Sequence, residues 1–259
     1  MQSARTLIYD RASDVSSVVF GLPLSAVLGS RLAREGFWTL VLKSANTLLA
    51  FVTTVLLARL LGAEGYGMYA YALALVTLLA MPAHAGLPNL VLRETARGMA
   101  EARPDHVRGV WRWAGRVVAG LSALVVVAAG PLLVIWQGGL SSPQGRTLAW
   151  ALLLVPLIAL GNLRGAALRG LQRIVEGQLP EFLLRPALFL LLVGGAAVFF
   201  RGHVSPPSAM ALQAAASLGA FLAGAWLLWK ATPPGVRGAG GTANSEGWLL
   251  SSTLFALLA

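Results

Sequence analysis

The stretch YGMYAYALALVTLLAMPAHAGLPNLVL, residues 66–92, runs for 27 residues without one Asp, Glu, Lys or Arg. A bilayer core about 30 Å thick is crossed by roughly 20 apolar residues of helix, each rising 1.5 Å. One run of that length inside a soluble domain would be unusual, and comparable runs recur along the rest of the sequence. A 259-residue globule has no interior large enough to hide them all. The fold class is therefore all-α, a polytopic bundle of transmembrane helices.

Six complete spans are expected, near residues 38–61, 66–92, 111–136, 147–168, 181–200 and 207–229. Trp38, Tyr66, Tyr69, Trp111, Trp113, Trp136, Trp226 and Trp229 lie near their ends, where amphipathic rings settle at the headgroups. The connections are short, so neighbouring helices should be antiparallel. Ahead of the bundle, residues 1–37 form a mixed cytoplasmic or interfacial tail. Its uncharged run, residues 15–30, reaches only about 24 Å. Asp10 and Asp14 spoil the basic region that a signal peptide would need. After Lys230 the sequence ATPPGVRGAGGTANSEG marks a cytoplasmic linker, residues 231–247, rich in Pro and Gly. Residues 248–259 then begin a further apolar run of about 18 Å, which reads as the start of an incomplete seventh span. On that reading the sequence is the first lobe, residues 38–230, of a larger transporter, or a truncated form of one.

Composition fits the same class. Hydrophobic residues make up 57% and charged residues 12%, against roughly 25% charged in soluble domains. The net charge of +10 could suggest nucleic acid, but that needs a basic face on a soluble scaffold. Here the charges sit between apolar runs, so the lipid bilayer and its anionic headgroups are the expected partner, with no nucleic acid. All but three of the basic residues, Arg59, Arg146 and Arg201, fall on one side of the six-span arrangement. The positive-inside rule places that side, with the amino terminus, in the cytoplasm.

Catalytic constellations are missing from the sequence. His84, His106 and His203 are far apart, there is no cysteine, and no nucleophile elbow or phosphate-binding loop occurs. No enzyme activity, metal or cofactor is expected. The informative residues are polar groups within the spans, because a charge at the bilayer centre costs about 2.5–3.5 kcal/mol. Lys43 and Asn46 share a face of the first helix. They would line a cavity, or Lys43 would snorkel to the headgroups. Arg164 and Arg169 fall near the cytoplasmic end of the fourth span, at a depth where guanidinium groups could grip phosphate or serve as topological anchors. Only 15 uncharged residues separate Arg185 from Arg201. Arg185 is thus the foremost candidate for an anion contact, with a helical pair to Glu181 as the structural alternative.

Within MPAHAGLPN, Pro82, Gly86 and Pro88 should break or kink the helix. His84 is placed there as a candidate proton relay at a hinge. Downstream, RETARGMAEARPDHVRGVWRWAGR is either a plain topology determinant or a lipid-facing amphipathic helix.

Three stretches together resemble the polysaccharide-biosynthesis branch of the flippase superfamily that exports lipid-linked oligosaccharides. They are LLARLLGAEGYGMYAYALALV with Arg59, Leu61, Gly62, Tyr66 and Gly67; AGLPNLVLRETAR with Gly86, Arg93 and Glu94; and AALRGLQRIVEGQLPEFLLRP with Arg169, Gly170, Gly177, Pro180, Arg185 and Pro186. The resemblance spans about residues 38–229. It implies a two-lobed transporter of a bacterial inner membrane with an alternating-access cavity. It also implies a polyprenyl-pyrophosphate-linked oligosaccharide as substrate, flipped outward for cell-surface polysaccharide such as O-antigen, with the polymerase machinery as a partner. Many relatives carry a carboxylate two positions before the glycine matching Gly86; here that position is His84. The rival readings are a multidrug antiporter of the same superfamily, an inactive fragment, and an integral-membrane glycosyltransferase. The last would need a large outer loop with catalytic residues.

Overall fold

The computed structural model describes residues 31–84, 86–199 and 204–238, with side chains from residue 36 onward. Expectations for the tail before residue 31, for Arg201 and His203, and for residues 239–259 with the incomplete span lie outside these. The chain divides into two units, Met1–Val41 and Leu42–Ala259. The first is helical from residue 31 onward, and the bundle with its cavities belongs to the second. Among the described residues all regular structure is helical. Five helical segments are long and apolar enough to cross a membrane.

The first of these, α1 (Arg31–His84), is broken at Gly62, whose φ of 70° and ψ of 177° lie in a region open essentially to glycine alone. Its apolar part, Gly36–His84, would reach about 74 Å unbroken, more than twice a bilayer core. Instead the two arms fold back on each other. Leu57 and Tyr66, Thr53 and Ala70, and Asn46 and Thr77 are pairs about equally distant from Gly62, and all six residues line one cavity. The arms are therefore antiparallel, as the short connection between the first two expected spans implied.

The second expected span is shorter than its apolar run. α1 stops at His84, Gly86 adopts a left-handed φ of 70°, and α2 (Leu87–Ala100) starts with Pro88 in its first turn. Residues 87–92 thus belong to a separate amphipathic helix. Its apolar side, with Leu87, Leu90 and Val91, is buried in the core, alongside Thr95 and Gly98. Of the two readings of this segment, the lipid-facing one therefore fails for α2: its apolar face is turned to protein. The break itself stands where the prolines and glycine required it.

The chain then rises through α3 (Pro104–Trp136) and, after a short turn, descends through α4 (Pro143–Leu152) and α5 (Leu154–Gly170). Pro156 explains the interruption between α4 and α5. It has no N–H for the carbonyl of Leu152, and its ring crowds that carbonyl. Next come α6 (Ile174–Leu179), a π-turn at Pro180–Leu184, α7 (Arg185–Phe199), α8 (Pro206–Ala231) and the single turn α9 (Pro234–Gly238). Pro186 lies just beyond the π-turn, in which the N–H of Arg185 reaches back to the carbonyl of Pro180. Proline and π-turns are the usual causes of a local bend.

The α2–α3 and α5–α6 connections use one motif twice. Arg103 N–H donates to the Gly98 carbonyl, and Arg173 N–H to the Leu168 carbonyl. Ala102 (φ 52°) and Gln172 (φ 60°) hold the left-handed position between them. In the first turn Arg97 also donates to Glu101 at 2.8 Å, which holds that carboxyl below the ordinary range.

Candidate functional site

A polar groove lies between α1, α5 and the α6–α7 region. Lys43 and Asn46 enter it from the first arm of α1, and Thr77 from the second arm. Asn162 and Arg169 come from α5, and Gln178, Glu181 and Arg185 from the chain around the π-turn. Its volume is about 440 Å³. Asn46, Thr77 and Arg185 also wall an adjoining compartment of about 670 Å³, which adds Thr53, Thr54, Tyr66, Tyr69 and Gln213. The groove therefore has a charged part, lined by Lys43, Arg169, Arg185 and one carboxylate, and a mostly neutral part built from hydroxyls, amides and aromatic rings.

Small residues make this space. Gly161 leaves room for Glu181: a Cβ there would stand 2.7 Å from Glu181 Oε1. Gly165 and Gly177, also in the wall, let α5 and α6 approach backbone to backbone. Close contacts of this kind drive helix association where no hydrophobic gain is available.

Glu181 organises the charges. Its Oε2 lies 3.3 Å from Arg185 Nη1, and its Oε1 lies 3.9 Å from Arg164 Nη2. Both expected partners of Arg185 are thus within reach of the same site, since the helical pair exists and the guanidinium lies in the groove wall. Arg169 donates to the Gly165 carbonyl along its own helix, at 3.4 Å. The side-chain oxygen of Gln178 is buried and has no hydrogen-bond partner within the protein.

The structure brings Lys43, Asn46, Arg169 and Arg185 into one wall and separates Arg164 from them. Arg164 is only 7% exposed. Its guanidinium stacks 5.0 Å from the Phe221 ring and donates through Nη1 to the Phe221 carbonyl. It lies against α8 at Gly224, where any side chain would collide with it. The wall it belongs to is that of another cavity, shared with Trp111, Leu228 and Trp229. Pro82, His84, Gly86 and Pro88 mark the helix break, and none of them is in the groove wall. His84 is half-buried, and its Nδ1 has no partner within the protein.

Sequence reasoning passed over Asn162, Thr77, Gln178 and Gln213. Asn162 and Gln213 stand as polar residues within apolar runs, and that was the available signal. No group of His, Asp and Glu suited to a metal ion occurs among the described residues.

A bundle of long apolar helices with a charged groove between them defines the class, a multi-pass membrane protein. Residues 32–236 match the polysaccharide biosynthesis protein family, and the chain belongs to that family. No curated protein and no solved structure matches it.

Proposed function

We propose that this protein is a flippase-type transporter that moves a polyprenyl-pyrophosphate-linked oligosaccharide from the cytoplasmic to the outer leaflet of a bacterial inner membrane. The observation that carries the reading is that Lys43, Arg169 and Arg185 line one groove within the apolar bundle whose lining holds a single carboxylate, Glu181. Charges at such depth are costly and mark a substrate path. Three cations against one anion leave net positive charge for a diphosphate, and arginine suits bidentate phosphate pairing. The neutral compartment beside it, with Asn46, Tyr66, Tyr69 and Gln213, offers the donors, acceptors and rings that a glycan engages.

On this reading the arms of α1 are separate spans, giving six in all, with the amino terminus cytoplasmic. The groove faces the second lobe that the family resemblance implies, and rocking of one lobe on the other alternates its access. The helix break at Gly86 serves as a hinge, and the exported glycan passes to polymerase machinery. Arg164 acts through Glu181 rather than on the substrate.

A cation-coupled multidrug antiporter is the second reading, and Glu181 favours it as a carboxylate within the groove. The two arginines beside that carboxylate weigh against it, because their field repels the cation an antiporter must bind. Complementation of surface polysaccharide in a flippase-deficient strain tests the choice. Restoration that is lost on neutralising Arg185 and Arg169 together supports the flippase. Unrestored polysaccharide combined with raised drug resistance would favour the antiporter.

A further inference from the structure

The cavity that holds Arg164 is unlike the groove. It encloses about 340 Å³ between α2, α3, α5 and α8, and its walls are apolar: Val91, Leu160, Leu163, Ala225 and Leu228, with Trp111 and Trp229 at the edge. Trp229 is 62% exposed, so the space can be reached from outside the bundle. Tryptophans at helix ends mark the level where acyl chains meet headgroups.

Two independent features say what fits. The first is Arg164, a nine-tenths-buried cation in the wall, whose Nε has no acceptor within the protein. The second is the basic rim. The Arg237 guanidinium covers the Trp229 ring at 4.7 Å, and Arg108 donates to the Val236 and Arg237 carbonyls beside it. The carboxylate of Glu94, on the same helix as Val91, is taken up by Arg93 and His106 at 3.2 and 3.0 Å. An apolar slot with a buried cation in its wall and cations at its mouth is complementary to an amphiphile with an apolar chain and an anionic head. Basic pockets between transmembrane helices recognise lipid head groups in this way.

We infer that this cavity is a binding site for an anionic glycerophospholipid, with one acyl chain held between Trp111 and Trp229 and the phosphate held by Arg237 and Arg108. The site is separate from the groove and does not depend on what the groove transports. Its occupant fills the space between α8 and the α2–α3 pair and ties those helices together at the membrane surface.

Quenching of tryptophan fluorescence tests it, with the whole chain in nanodiscs containing increasing fractions of dibrominated phosphatidylglycerol or dibrominated phosphatidylcholine. Trp111→Phe and Trp229→Phe identify the signal of the two rings at the cavity. The expected result is that the brominated phosphatidylglycerol quenches these rings at a lower mole fraction than the phosphatidylcholine. Arg237→Gln should reduce that preference about fivefold, the equivalent of about 1 kcal/mol for one surface cation. Ala225→Phe, which fills the slot, should abolish the preferential quenching while thermal unfolding stays cooperative; the smaller filling Ala225→Leu is made alongside. Equal quenching by both lipids, or preferential quenching that survives both filling variants, would overturn the assignment. Relief of quenching by equimolar polyprenyl phosphate would also overturn it, in favour of an isoprenoid tail.

Discussion

Gly165 on α5 and Gly177 on α6 meet backbone to backbone. A Cβ added to Gly165 would stand 2.9 Å from the Gly177 carbonyl oxygen, and one added to Gly177 would stand 2.8 Å from that of Gly165. The contact draws the α5–α6 hairpin tight immediately behind the charged part of the groove, and neither backbone can yield without moving a groove wall. Gly177→Ala should destabilise the protein by about 1–3 kcal/mol, the usual cost of overpacking. Gly165→Ala should do the same, and the pair should be less than additive, because one displacement relieves both clashes. Thermal unfolding in a mild detergent measures all three.

The turns at Ala102 and Gln172 carry a correctable strain. Both residues sit at positive φ, where a side chain costs roughly 1–2 kcal/mol that glycine does not incur. Ala102→Gly and Gln172→Gly should each raise stability by about 1 kcal/mol, less whatever the freer unfolded chain takes back. An unchanged melting temperature in both variants would mean that the left-handed turns do not persist in the membrane.

That the chain is an all-helical membrane bundle was legible, because apolar length is a local property. So was the break near Gly86, since Pro82, Gly86 and Pro88 act through their own backbone. The start of α2 was not, because residues 87–92 extend the apolar run without any change in composition; the core around Leu90 and Val91 is the cause that turns them from lipid to protein. Of the groove lining, Lys43, Asn46, Arg169 and Arg185 were legible one by one but not as a constellation, since Lys43, Arg169 and Arg185 lie on three separate helices. One separation is written in the spacing itself. Arg164 and Arg169 are five residues apart, which at about 100° per residue turns them roughly 140° from each other. Arg169 accordingly lies in the groove and Arg164 in the other cavity.

Topology is tested by single cysteines in this cysteine-free chain. Ser141 lies in the turn between α3 and α4, and Ser205 caps α8. Both should react with a membrane-impermeant thiol reagent added to intact cells. Gln172, exposed in the α5–α6 turn, should react only after the cells are opened. Labelling of Gln172→Cys in intact cells would reverse the proposed orientation.

Gly224 and Arg164 should behave as a coupled pair. An added methyl would stand 2.4 Å from the guanidinium carbon, so Gly224→Ala has to shift the buried guanidinium off its Phe221 contacts or push α8 away. A marked loss of stability is expected. Adding Arg164→Leu should restore part of it, with a coupling of about 0.5–3 kcal/mol in a double-mutant cycle. Strict additivity would show that the arginine moves aside at no cost.

The decisive pair for function is Glu181 and Arg185. If Arg185 holds a pyrophosphate, the substrate must compete with the Glu181 carboxylate, which lies 3.3 Å from the guanidinium. Removing the competitor should help binding: Glu181→Gln should tighten the affinity of polyprenyl pyrophosphate severalfold while slowing release, so that transport falls as affinity rises. Arg185→Lys should weaken binding, because an ammonium cannot reproduce the bidentate fork. Arg185→Ala should weaken it further. A purely structural pair predicts a different pattern. Lysine would then serve nearly as well as arginine, since a helical pair of this spacing contributes only about 0.2–0.5 kcal/mol, and Glu181→Gln would match Arg185→Ala in a small stability loss with no change in affinity. Affinity measured on the purified protein in detergent, set beside complementation at equal membrane abundance, separates the two. Opposite effects on affinity from Glu181→Gln and Arg185→Lys are the pattern expected of an anion that shares the arginine with the carboxylate.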